Sequence, residues 1–202
     1  MLVSHEYKFI YLKSRKTAST SLERYFLPYC KNGLVDLKRA HKPAIEIKEL
    51  VGEEVWNSYT KICAIRNPWD KMVSYYFWKK RLSFVNKILH KLNPKWSNYN
   101  EAHQLDFKGF IQKQANLNID TKIFYINSQW QDYEFIRYEN LYDDLKKVCD
   151  LIGIPYEKSK LGNHKSMYRP KKSHHQKFYD DETRDLVRDA YSIEIEKIGY
   201  PF

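Results

Sequence analysis

Short apolar, aromatic and β-branched runs that alternate with helical patterns are the feature that most constrains this chain. Tyr7 to Leu12 (YKFIYL) reads as a strand, and a polar stretch, Lys13 to Thr20, leads from it into a helical pattern over Ser21 to Cys30. Lys61 to Ile65 (KICAI) reads as a buried strand, after which Asn67 and Pro68 supply an N-cap and a first-turn proline for a helix through Met72, Val73, Tyr76 and Phe77. Glu134 to Arg137 (EFIR) opens a third unit, with Asn140 as N-cap and a helix carrying Leu141, Leu145, Val148 and Ile152 to a stop at Gly153. Strands that alternate with helices in this way predict an α/β fold, with a mostly parallel central sheet flanked by helices. At 202 residues the chain suits a single domain, 1–202. Between the second and third units lies a helical and irregular insertion, 79–115, in which Leu82, Val85, Leu89 and Leu92 form an amphipathic stripe. Asp181 to Ile198 reads as a C-terminal helix with Gly199 at its end.

Charge narrows the partners without choosing one. Lys and Arg total 35 against 25 Asp and Glu, a formal charge of +10, which draws polyanions: nucleic acid, acidic glycans, anionic lipid or phosphorylated nucleotides. The three cysteines, Cys30, Cys63 and Cys149, have no metal-ligand spacing and imply free thiols in a reducing compartment, hence a cytoplasmic location. No apolar run has the form of a leader or approaches the ~20 residues of a membrane span.

The polar stretch after the first strand carries the chemistry. Lys13-Ser14-Arg15-Lys16-Thr17-Ala18-Ser19-Thr20-Ser21 sits where a strand gives way to a helix N-terminus, and there free backbone N–H groups and the helix dipole favour a phosphate. Small residues let the backbone approach, hydroxyls add donors and Lys16 adds a point charge. The same composition also suits a polar turn that binds nothing. Between Met1 and Asn32 there is no glycine, so the G-x-x-x-x-G-K-[ST] spacing of P-loop nucleotidases is absent. The second strand ends in Arg66, where such an enzyme offers a carboxylate for Mg²⁺, and arginine points to an anion. A nucleotide or small-molecule kinase and a non-catalytic binder of polyanion or nucleic acid are the alternatives these residues leave open.

Lys16-Thr17-Ala18-Ser19-Thr20-Ser21 resembles the 5′-phosphosulfate loop of sulfotransferases that use 3′-phosphoadenosine-5′-phosphosulfate (PAPS). Arg66-Asn67-Pro68-Trp69-Asp70-Lys71-Met72-Val73-Ser74-Tyr75-Tyr76 resembles the motif that holds the 3′-phosphate in that family. His41-Lys42-Pro43-Ala44, Arg137-Tyr138-Glu139-Asn140-Leu141, Leu151 to Pro155 and the ending Gly199-Tyr200-Pro201-Phe202 are similar to the bacterial and carbohydrate-type branch, so the likeness spans nearly the whole chain. Arg15 stands where the family commonly has proline, Ala18 where glycine is frequent, and Thr121 to Asp132 does not show the usual Pro-Gln pattern.

The resemblance implies transfer of a sulfuryl group from PAPS to a hydroxyl, of a carbohydrate or polysaccharide, without a metal and with adenosine 3′,5′-bisphosphate as product. It implies a donor site made by Arg15, Lys16, Thr17, Ala18, Ser19, Thr20 and Ser21 around the 5′-phosphate, and by Arg66 and Ser74 at the 3′-phosphate. Arg169, in the basic stretch Tyr168 to Lys172, falls near nucleotide or acceptor by the same likeness. Lys16 is the residue expected to neutralise the leaving phosphate, His41 the expected general base, and Glu139 the second candidate for that base. Nucleic acid is not an expected partner. Adjacent His174 and His175 lack further ligand spacing and read as a surface loop. In the insertion, Lys79, Lys80, Arg81, Lys87, Lys91 and Lys95 among Trp78, Phe84, Trp96 and Tyr99 suit an anionic sugar chain or a solvated basic helix face.

Overall fold

The computed structural model describes residues 1–37, 41–93, 105–113, 117, 119–162 and 174–202, the side chains of 81–87 and 90 excepted. The elements run β1 (Leu2–Ser4), β2 (Phe9–Leu12), α1 (Ser19–Phe26), α2 (Ala44–Val51), α3 (Glu53–Ser58), β3 (Thr60–Ile65), α4 (Pro68–Leu92), α5 (Phe107–Gln112), α6 (Thr121–Phe124), β4 (Tyr125–Ile126), β5 (Gln129–Trp130), β6 (Glu134–Arg137), α7 (Leu141–Ile152), α8 (Asp181–Ala190) and α9 (Ser192–Ile198). They fall into two compact units, one of Met1–Arg66 with Ile119–His164, the other of Asn67–Asn118 with Lys165–Phe202.

The first unit holds the α/β sheet, in the order β1-β2-β3-β6, with β2, β3 and β6 parallel and β1 antiparallel at the edge. The strand expected over Tyr7 to Leu12 is shorter than its apolar run, because Lys8 has φ 47 and turns the chain from β1 into β2. Leu2, Phe9, Tyr11, Ile62, Ala64 and Ile136 share one buried cluster with Leu22, Tyr25 and Phe26 of α1 and Leu145, Val148, Cys149 and Ile152 of α7. The alternate residues Val3, Ile10, Leu12, Cys63 and Ile65 are also buried, so the sheet is covered on both faces, as a parallel sheet requires. The stretch before β6 that lacks the Pro-Gln pattern forms α6 and a two-stranded hairpin, turned by Asn127 and Ser128 at φ 49 and 63.

The second unit is helical. Asn67 caps α4 as expected, its side-chain oxygen accepting from the Trp69 and Asp70 amides, with Pro68 in the first turn. Trp69, Met72, Val73 and Tyr76 recur at helical spacing and pack with Phe107, Phe110 and Ile111 of α5 and Val187 of α8. The helix that begins the insertion is the same α4, which continues to Leu92 instead of ending near Phe77. Of the predicted stripe, Leu89 is half-buried and Leu92 is 72% exposed; Leu82 and Val85 lie outside the described side chains. The C-terminal helix is two, α8 and α9, broken at Tyr191 (φ −120, ψ 24), a buried ring whose hydroxyl donates to the Met72 sulfur.

Where β6 meets α7, Asp144 fixes the end of the strand. Its carboxylate accepts from the Arg137 amide (3.0 Å), from Arg137 Nε and Nη2 (2.7 and 2.8 Å) and from Asn140 Nδ2 (2.8 Å). Burial alone would raise this carboxyl, and the Arg137 and Asn140 donors hold it below its usual 3.8. Its stabilising effect is therefore complete above that value and is lost as pH falls through the depressed one. Because the Arg137 side chain is 42% exposed, removing its partner strands no buried cation. We expect Asp144→Ala to cost about 2 kcal/mol, lowering the thermal midpoint by about 4–8 °C in calorimetry.

Candidate active site

The loop predicted to hold phosphate lies at the C-terminal end of β2 and runs into α1. Lys16 and Ala18 both adopt the left-handed region, at φ 61 and 58, and Ala18 is the N-cap of α1. The helix ladder begins with Ser21 N–H and Leu22 N–H donating to the Ala18 carbonyl, which places the Ser19 and Thr20 amides ahead of it, at the positive end of the helix dipole. Lys16, Ala18 and Thr20 are half-buried, whereas Ser14, Thr17, Ser19 and Ser21 are buried. The Thr17 hydroxyl bonds the Ser14 hydroxyl at 2.8 Å, and that of Ser14 donates to the Ala64 carbonyl of β3. Thr17 is thus bound inward, and its side chain braces the loop.

Arg66 follows β3 and is 7% exposed. Its Nη1 donates to the Lys16 carbonyl at 2.9 Å, and its guanidinium lies 3.8 Å from the centre of the Tyr138 ring. Ile65 pairs with Arg137 in parallel register, so Arg66 and Tyr138 emerge side by side from the ends of adjacent strands, where open α/β sheets bind ligands.

His41 bonds the Lys13 carbonyl through Nδ1 at 2.9 Å. A carbonyl oxygen only accepts, so Nδ1 carries the proton and the neutral ring keeps its lone pair on Nε2. Burial lowers the imidazole below 6.5 against the Lys13 hydrogen bond and the Asp120 charge, which raise it; the Arg15 and Lys13 charges lower it further. Asp120 is 1% exposed and accepts from the Arg15 amide at 3.0 Å, while Arg15 Nη1 donates to the Ile119 carbonyl. Glu139, the second candidate base, is exposed on the 3₁₀ turn Tyr138–Asn140.

A family model described as the sulfotransferase family matches residues 1–201. The chain belongs to the sulfotransferase family. An uncharacterized protein of Archaeoglobus fulgidus is 31% identical over 121 residues, 57% of this chain and 85% of that protein. No solved structure matches the chain.

This sulfotransferase therefore gathers Arg15, Lys16, His41 and Arg66 around one strand–loop–helix in its first unit. Ser74 stands on α4 in the second unit, half-buried, and Arg169 lies outside the described residues. Asp120 and Tyr138 were not singled out as site residues from the sequence. Tyr138 was within reach, since it follows a predicted strand end; Asp120 carries no local signal. His174 is exposed as expected of a surface loop, but His175 is buried with its ring edge-on to Phe202 at 5.6 Å. Among the described residues no cluster of His, Cys, Asp and Glu could hold a metal.

The φ of 58 at Ala18 gives a backbone reason for glycine at this position in the family the sequence resembles. We expect Ala18→Gly to leave stability within about 1 kcal/mol of the parent and Ala18→Val, β-branched in a left-handed conformation, to cost about 2 kcal/mol or more, read by denaturant unfolding.

Proposed function

We propose that this sulfotransferase takes its sulfuryl group from PAPS and passes it to a hydroxyl of a carbohydrate, and that residues 1–202 act as one sulfotransferase domain. The observation that carries the reading is the Arg66–Lys16 link: a buried guanidinium is tied to the backbone carbonyl of the loop lysine where a helix N-terminus opens at the end of parallel strands. The residues fit the donor. The loop amides as far as Thr20 and the Lys16 ammonium suit a 5′-phosphate, and Arg66 and Ser74 are each assigned to the 3′-phosphate by resemblance. Arg15 lends further charge to the donor site, and Arg169 is assigned beside the nucleotide by resemblance.

In sulfuryl transfer the acceptor oxygen attacks sulfur while the sulfur–oxygen bond to the 5′-phosphate breaks, and the departing phosphate takes the bond's electron pair. Lys16 neutralises that charge as it grows, and His41 Nε2 takes the acceptor's proton. Glu139 is the alternative base. A carbohydrate acceptor is supported by the half-buried aromatic pair of α4, Tyr75 and Trp78, which stack (5.9 Å, 13°) with Lys79 5.4 Å from the Tyr75 ring. On this reading the insertion, 79–115, contributes to acceptor binding. A cytoplasmic setting is supported by the buried thiols of Cys30, Cys63 and Cys149, which form no disulfide, with burial raising Cys30 to about 11. No described helix is long and apolar enough to cross a membrane.

Mass spectrometry of a glycan library incubated with PAPS tests the reaction directly, sulfated glycan being expected; sulfation of other acceptors alone removes the carbohydrate reading. Calorimetry should show adenosine 3′,5′-bisphosphate binding without added metal and AMP binding at least about tenfold more weakly, with Arg66→Ala closing that gap. Equal binding of the two ligands to the parent protein would end the 3′-phosphate assignment.

His41 has to be neutral to work, and its value lies below 6.5, so the rate should hold through neutral pH and fall as pH drops through the lowered value. His41→Ala should retain bisphosphate affinity, lose about 10²-fold in turnover, and lose that acid limb. Near-parental turnover would move the base to Glu139.

A further inference from the structure

We infer that Asp120 is a positioning residue of this site, its buried carboxylate holding the phosphate-loop backbone at Arg15 and setting the charge environment of His41. The inference rests on the reading of the loop and His41 as parts of the sulfuryl-transfer site.

Asp120 stands at the N-cap of α6, yet its side chain makes no cap hydrogen bond there; the Ile123 and Phe124 amides are met by its backbone carbonyl instead, at 2.8 and 3.3 Å. The carboxylate turns to the Arg15 N–H, and the neighbouring Ile119 carbonyl takes the Arg15 guanidinium, so one short segment grips residue 15 by both its backbone and its side chain. This grip fills a gap between other ties. Lys13 is held through its carbonyl by His41, Ser14 through its hydroxyl by Ala64, and Lys16 through its carbonyl by Arg66. Just beyond Arg15 the backbone enters the left-handed region at Lys16, a conformation that persists only where the surroundings impose it. A proline, common at position 15 in the family the sequence resembles, supplies a fixed φ but has no N–H; here the arginine amide with a carboxylate acceptor supplies the restraint.

The same carboxylate acts on His41. Among the described residues the charges acting on that imidazole are those of Lys13, Arg15 and Asp120, and of these Asp120 favours the protonated form. Fixing the loop and balancing the base are therefore separable by substitution. Asparagine keeps an oxygen that accepts from the Arg15 N–H and removes the charge, whereas alanine removes both.

Full-length parent, Asp120→Asn and Asp120→Ala are compared by calorimetric titration with adenosine 3′,5′-bisphosphate. The pH titration of the His41 imidazole is followed by NMR in the free protein, its signal identified by its loss in His41→Ala. Asp120→Asn is expected to keep bisphosphate affinity within about threefold while His41 titrates at lower pH than in the parent. Asp120→Ala is expected to bind the bisphosphate about tenfold or more weakly and to show the same downward movement. An unmoved His41 titration in Asp120→Asn, or parental affinity in Asp120→Ala, overturns the assignment. Where Asp120→Ala does not fold, the His41 titration in Asp120→Asn decides alone. A parent protein that binds no bisphosphate refutes the donor reading, and the His41 titration still judges Asp120 separately.

Discussion

The left-handed backbone at Lys16 and Ala18 is the constraint on which the rest of the site depends. Neither residue is glycine, and each such conformation costs of the order of 1–3 kcal/mol unless its surroundings impose it. The imposition comes from separate places in the first unit: the Ala64 carbonyl in β3, Arg66 just after that strand, His41 ahead of α2, and Asp120 ahead of α6. Their purpose is intelligible from the helix that follows. Only when the chain turns sharply at Ala18 do the Ser19 and Thr20 amides stand ahead of the α1 ladder.

These ties depend in turn on the sheet. Parallel pairing of β2 with β3 and of β3 with β6 brings the loop after β2, Arg66 and Tyr138 to one edge, although they are far apart in sequence. Asp144 anchors the last of these strand ends by binding Arg137 to the first turn of α7. A cation as buried as Arg66 carries a large desolvation cost, and here it is set against the Lys16 carbonyl and the Tyr138 ring face, so its position follows from the fold.

What could be read from the sequence was what is encoded locally. The strand Glu134–Arg137, the α7 helix with its stop at Gly153, and the Asn67–Pro68 start of α4 are set by apolar period, capping side chains and glycine, and each was read within a residue of its observed place. The edge strand β1 escaped because three residues carry no period, and the break at Tyr191 because it is made by burial of one ring against α4. The polar loop between β2 and α1 was legible by composition, but the inward commitment of Thr17 was not, since its partner Ser14 is fixed through a carbonyl on another strand. Asp120 was invisible for the same reason: an aspartate before a short helix reads as a cap, and only the fold shows its carboxylate serving residue 15.

His41, the proposed base, is tied into the same loop. Its own φ is 61, so this residue too is held in a strained backbone, and the hydrogen bond that fixes its ring ends on Lys13, the first residue of the loop. That bond selects the tautomer: with Nδ1 donating to a carbonyl, Nε2 is the atom that can accept a proton. Burial and the two flanking cations keep the ring neutral, while Asp120 and the Lys13 carbonyl oppose them and preserve its basicity. Burial alone lowers the basicity of an imidazole, and a carboxylate nearby restores part of it. With the carboxylate on the Arg15 amide and the imidazole on the Lys13 carbonyl two residues earlier, the same charge acts on the proposed base while it restrains the loop.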